Sequence, residues 1–217
     1  MRFFETQLKM PFMVLPVRSI LLEIMSRKIL ISPGSQLTTE DYQQMGEVTD
    51  LVAPNLLHCG GIAKAKSFFP KAKVWGAKGV KELKPDIFWD KVLGEDPWEF
   101  NEQLPILLIE GMPKVNEVLF YDKSSRTLIL TDLCFNIKNP KGIGSWLILK
   151  LFGTYNKFAM SRFYIKFISD RVAFDQSIKR IFLWDFEKII VSHGDNVIEN
   201  GAEILKKALL EREVLVY

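Results

Sequence analysis

The chain has 217 residues, of which 48% are apolar and 25% charged, and a net charge of +3. This balance fits a globular chain with a core of its own and excludes a disordered or fibrous one; so small a charge gives no reason to expect a nucleic-acid partner. Two cysteines, Cys59 and Cys134, are too few for a disulfide framework, so a reducing, cytoplasmic setting is expected.

The N-terminal stretch MRFFETQLKMPFMVLPVRSILLEIM is interrupted by Glu5, Lys9, Arg18 and Glu23 and has no clear cleavage site. It reads as the first strands of the domain, not as a leader or a membrane span. Apolar runs at 12–24 and 28–32 predict two strands, the second broken by Pro33-Gly34. Thr38 and Asp41 stand at the spacing of a helix-capping pair, which predicts a short helix. Residues 48–53 predict a strand ending at Pro54, Gly60 to Phe69 a helix closed by Pro70, and 73–75 another strand. The stretch 79–104, rich in Lys, Asp, Trp and Pro, predicts an irregular excursion. A strand at 105–109 precedes a hairpin in which 117–121 and 127–131 flank a polar turn. Helical spacing is expected over 145–168 and a further helix over 175–186. A strand follows at 188–192, and a last helix from about Val197 to Leu210. No repeat or linker divides the chain, so a single layered α/β domain with a mixed sheet is expected over 1–217.

The sequence holds two histidines, His58 and His193. Each stands just beyond a predicted strand, and Asp132 follows a strand in the same way. Functional groups collect beyond strand ends in layered α/β folds, because the loops there leave a rigid sheet. Two neutral imidazoles and a carboxylate form a competent set for one divalent ion: zinc, iron or manganese. Such an ion lowers the pKa of a bound water toward ~7. The same spacing admits a structural reading, in which His58 buttresses a turn, His193 bonds a backbone carbonyl and Asp132 caps a loop.

The stretch VAPNLLHCGG (residues 52–61), followed by a helix and FPKAKV, resembles the metal-binding segment of the metallo-β-lactamase superfamily. Aligned on Gly60-Gly61, His58 matches the last histidine of that segment. The two earlier histidines become Ala53 and Asn55, and an aspartate becomes Leu57. LILTDL resembles the strand that delivers a bridging aspartate, here Asp132; IIVSHGD resembles the segment of the final histidine, here His193. Ser32-Pro33-Gly34 stands where the superfamily has Asp-Thr-Gly, and Glu110-Gly111-Met112-Pro113 replaces a histidine turn. The combination is similar to an uncharacterised branch of that superfamily with a degenerate metal motif.

The resemblance covers roughly residues 12–205 and implies a four-layer αβ/βα sandwich. It implies a cleft holding His58, Asp132 and His193, with one divalent metal or none. Asn55 is the candidate catalytic residue, placed to bind substrate or orient a water, or else to stabilise its turn. Glu110 and Glu117 are further carboxylates near the cleft, with solvated or structural roles the alternative. Cys59 is expected packed under the helix. The implied activity is one-metal hydrolysis of an ester, thioester or phosphoester of a small molecule. The alternative is a module that binds a ligand or partner without turnover.

Residues 138–180 hold nine Lys or Arg against Asp170 and Asp175, and the same stretch contains Trp146, Phe152, Tyr155, Phe158, Phe163, Tyr164 and Phe167. This basic aromatic insertion predicts an amphipathic helical pair near the cleft, packed on the sheet with a solvated basic rim. It could form a wall that attracts anionic substrates or a surface that docks on an anionic membrane. Nucleic acid is disfavoured, because the usual two-metal phosphodiesterase set is missing.

Overall fold

A computed structural model describes residues 1–215. Strands β1 (Arg2–Met10), β2 (Met13–Ile24), β3 (Arg27–Ile31), β4 (Asp50–Ala53), β5 (Lys73–Gly76) and β6 (Lys91–Val92) form one sheet in chain order. Strands β7 (Ile106–Leu108), β8 (Val118–Asp122), β9 (Thr127–Leu130) and β10 (Lys188–Val191) form a second, ordered β10-β9-β8-β7. The helices are α1 (Thr39–Met45), α2 (Ile62–Phe68), α3 (Val80–Leu83), α4 (Gly142–Phe152), α5 (Arg162–Ile165), α6 (Arg171–Ile181) and α7 (Gly201–Leu210).

Strand alternation builds the layers. In the second sheet Val118, Phe120, Ile129 and Ile190 point toward the first sheet and join its core. Their neighbours Leu119, Tyr121, Leu128, Leu130, Ile189 and Val191 point the other way, against Phe174 and Ile178 of α6 and Leu205 and Leu209 of α7. On the outer face of the first sheet lie Tyr42 and Met45 of α1 and Ile62 and Ala65 of α2. The result is the four-layer αβ/βα sandwich expected, with β4, β8 and β9 buried along their whole length and β1 largely exposed.

Three helical boundaries differ from the sequence expectation. Helix α6 starts at Arg171 because the Asp170 side chain accepts from the Val172 and Ala173 N–H groups, each at 3.0 Å. Helix α7 starts only at Gly201, since Val197 spends its N–H and C=O on Ile189 of β10. The span 145–168 is two helices, not one continuous stretch: Gly153, at φ 70°, ends α4, and the following loop pairs Ala159 with Phe135. Thr38 caps α1 reciprocally with Asp41 as read from sequence. The excursion over 79–104 is largely irregular, with the one-turn α3 and the two-residue β6 inside it.

Parallel pairing brings the candidate residues together. In β9–β10, Leu130 pairs with Val191, so Asp132 and His193 leave the sheet side by side. In β3–β4, Ile31 pairs with Val52, which sets Ser32 beside the start of the His58 loop. The Arg18 N–H of β2 donates to the Ser192 carbonyl at 2.9 Å and ties the two sheets at this end. Gly61 lets the two loops of the first sheet close on one another: a Cβ there would lie 1.9 Å from the Pro33 carbonyl oxygen. Gly61→Ala should therefore cost about 1–3 kcal/mol, read as a lowered urea midpoint with an unchanged m-value.

Candidate metal centre

His58, Asp132 and His193 converge, and their ligand atoms lie within 4.8 Å of one another. The two Nε2 atoms are 3.1 Å apart. Asp132 reaches His58 Nε2 through Oδ2 at 3.1 Å and His193 Nε2 through Oδ1 at 3.3 Å. Among the described residues this is the one cluster of its kind.

Each imidazole is oriented from behind. His193 Nδ1 is 2.7 Å from the Pro16 carbonyl oxygen, which can only accept. Nδ1 therefore carries the proton, and in the neutral ring the Nε2 lone pair faces Asp132 and His58. His58 Nδ1 sits 2.6 Å from Ser32 Oγ, and Ser32 holds that position with left-handed backbone, φ 54°. Phe135 stacks on the His193 ring at 4.9 Å between centroids.

Asn55 takes the second of its two expected tasks: it stabilises its own turn and makes no outward contact to substrate or water. It is fully buried, and its amide is used up within the protein. Nδ2 donates to Thr131 Oγ1 at 2.9 Å and Asp132 Oδ2 at 2.7 Å, while Oδ1 accepts from the Leu57 and His58 N–H groups. Asn55 is a positioning residue that links the His58 loop to Asp132. Glu117, also fully buried, accepts from the Thr131 and Asp132 N–H groups through Oε1, and from the Tyr164 hydroxyl through Oε2. Glu110 is exposed. Tyr164, Thr131 and the Pro16 carbonyl were not legible as site groups, since only the fold brings them there. Ser32 had one signal, its place where the resembled motif has an aspartate.

Leu57 is 55% exposed and turns its apolar side chain into the adjoining cavity, where the resembled motif has a carboxylate. Cys59 is buried, donates to the Leu56 carbonyl, and has its pKa raised by burial, so it is packed as expected. None of the nine Lys or Arg of 138–180 lines the cavity; all nine are exposed, as a solvated rim requires, and they form no cleft wall. Lys138 pairs with Asp195, Lys157 with Glu211 and Lys179 with Asp175.

Burial pushes the pKa of Asp132 up, but the imidazoles of His58 and His193 outweigh it, and the carboxyl is held far below its ordinary range. Burial pushes His58 down; Asp132, with Glu117 behind it, reverses this and raises it. Glu117 is raised by burial and by Asp132, against the hydrogen bonds of Tyr164 and Thr131.

The donor set fits a divalent cation. Separations of 3.1 and 3.3 Å approach the edge of about 3.3–3.4 Å that metal–ligand bonds of 2.0–2.1 Å give a tetrahedron. A buried carboxylate whose partners are two imidazoles is the electrostatic counterpart of such an ion.

Solved structures share this architecture. A metallo-β-lactamase from Pontibacter korlensis superposes with a TM-score of 0.66 over 96% of this chain and 92% of its own, at 14% identity. This chain has the metallo-β-lactamase fold. A metallo-β-lactamase from Erythrobacter litoralis gives 0.63 over 95% and 91%, at 16% identity. The metal-soaked Flv1 flavodiiron core from Synechocystis sp. PCC6803 gives 0.66 at 13% identity over 96% of this chain, which spans 57% of that one. No family model and no curated protein matches the sequence.

In metal-free protein the His58 ring should titrate above the ordinary ~6.5 of imidazole, and Asp132→Asn should bring it down. A ligand imidazole must be neutral, so metal uptake should weaken as pH falls through that raised value. NMR titration of the imidazole carbons checks the first expectation and metal-binding isotherms across pH the second.

Proposed function

We propose that this chain is a metal-dependent hydrolase of a neutral carboxylic ester or thioester, working with a single divalent ion at His58, Asp132 and His193. The observation that carries the reading is the convergence of three donor atoms whose rear contacts already aim them at one point. The absence of Lys and Arg from the described cavity lining favours a neutral acyl substrate over a phosphoester.

A divalent ion held there supplies Lewis acidity and makes water a nucleophile near neutral pH. The protein's own groups supply order. Asp132 stays anionic, fixed by Asn55 on one side and by its backbone N–H to Glu117 on the other. Ser32 and the Pro16 carbonyl fix the two rings, and Phe135 covers His193. In the reaction the water oxygen bonds to the carbonyl carbon, the carbon–oxygen or carbon–sulfur bond breaks, and the water's proton leaves with the alkoxide or thiolate.

Protein purified without chelator should carry about one zinc, iron or manganese per chain by elemental analysis. His193→Ala should lose it, and Ser32→Ala should weaken it about 10–100-fold. A metal-free protein that takes up no ion from a titration overturns the reading.

A second reading, ligand binding without turnover at an anionic membrane surface, is favoured by α4. No helix among the described residues is long and apolar enough to cross a membrane. Yet Ile143, Leu147 and Leu151, at successive four-residue spacing, are 79%, 54% and 69% exposed. Residues 133–169 hold six Lys or Arg and no Asp or Glu. Such a helix suits an interface between headgroups and acyl chains. The chain should then co-sediment with anionic vesicles at low salt and be released by raised salt. Changing the three apolar residues to Ser should abolish binding; retention would exclude α4 as the contact.

A further inference from the structure

A cavity of about 620 Å³ opens beside the metal centre, within the range of ligand sites. One wall is a single face of the β1–β2 hairpin. The register pairs Thr6 with Val17, Leu8 with Leu15 and Met10 with Met13, and all six side chains line the cavity. Alternation along the strands puts these pairs in one ladder. Its inner end is fixed, because Pro16, next to Val17, bonds His193. Its outer end is the hairpin tip at Phe12, 79% exposed. From Val17 to Met13 is about 13 Å at ~3.3 Å per residue. Beyond Thr6 and Val17 the ladder carries no polar side chain.

The other wall comes from the insertion. Ile148, Leu149 and Phe152 of α4 line it, with Phe163 of α5 and Phe167 just beyond. Phe163 contacts Phe152 at 5.3 Å and Phe167 at 5.2 Å between ring centroids. Of the 28 lining residues, Asp132 is the one acid, and no Lys or Arg is present. The ligating groups thus stand at the inner end, and the apolar ladder of the hairpin leads away from them, with Ser35, Gln36, Thr154 and Ser161 among the further polar residues of the lining. Leu8 and Met10 remain 37% and 39% exposed within it, apolar surface that no part of the described protein covers.

We propose that this cavity seats one long unbranched acyl chain, its carbonyl end at His58, Asp132 and His193 and its methyl end toward the hairpin tip. The fate of the carbonyl rests on the hydrolase reading; the seating of the chain does not. Burying a methylene in such a slot tightens binding up to about fourfold.

The test uses two readouts on the full chain. The first is displacement of a dansyl-labelled fatty acid by acetate, butanoate, octanoate, dodecanoate and palmitate, with and without chelator. The second is kcat/KM for the p-nitrophenyl esters of the same acids on zinc-loaded protein. Affinity is expected to climb with chain length until the slot is filled. Leu15→Trp, which fills the slot, and Met10→Glu, which charges its exposed end, should both shift the preference to shorter chains. Chain-length-dependent displacement without turnover of any ester supports the acyl seat and sinks the hydrolase reading. Turnover with no dependence on chain length overturns the seat and leaves the hydrolase reading standing. A chain-length dependence untouched by both substitutions places the chain elsewhere and overturns the proposal, as does the absence of displacement by every acid.

Discussion

Everything at the centre of this molecule depends on keeping one carboxylate charged where water is scarce. Asp132 is 5% exposed, and an isolated buried carboxylate would take up a proton. It does not, because two imidazoles face it and the Asn55 amide and its own N–H contacts hold it in place. Glu117 is the complementary case. Lying behind the same strand end, it is pushed toward its neutral form by burial and by the Asp132 charge. Two carboxyl groups a strand-width apart are thus driven in opposite directions by what surrounds them. Only Asp132 faces the cavity with a full charge to offer.

The layers follow from strand periodicity, and much of that periodicity was legible. The alternation of VLFYD and TLIL divides the second sheet between two cores. The Thr38–Asp41 pair announced α1, with Thr38 as the residue just before its first turn. The extent of α6 and α7 was not legible. Asp170 stands five residues ahead of the start read for α6, and Val197 looks helical until its pairing with β10 is known. Local pattern lost in both places to a contact made elsewhere in the chain.

The site was legible in its ligands and not in its supports. His58, Asp132 and His193 each follow a strand, and parallel pairing explains why strand ends meet. The supports are a backbone carbonyl at Pro16, a hydroxyl at Ser32 and a phenol at Tyr164; of these only Ser32 carried a signal, its place in the resembled motif. Asn55 was noticed with two tasks open, a contact to substrate or water and the holding of its own turn, and the second is the one it performs. An amide with four hydrogen-bonding positions, all met by groups beneath the site, turns inward. The basic insertion keeps the solvated rim read for it: all nine of its Lys and Arg are exposed, three of them in ion pairs, while Phe152, Phe163, Tyr164 and Phe167 face the cavity.

The ligands and the apolar wall belong to separately built parts. The three ligands hang from sheet ends locked by both cores, whereas the wall is a hairpin tip joined to α4 through Ser145 and Gly144. Lengthening or shortening that hairpin by two residues on each strand, which keeps the same face inward, moves the tip by about 7 Å and leaves every ligand where it is. A fold arranged this way can retune the size of what it admits without touching the chemistry it performs.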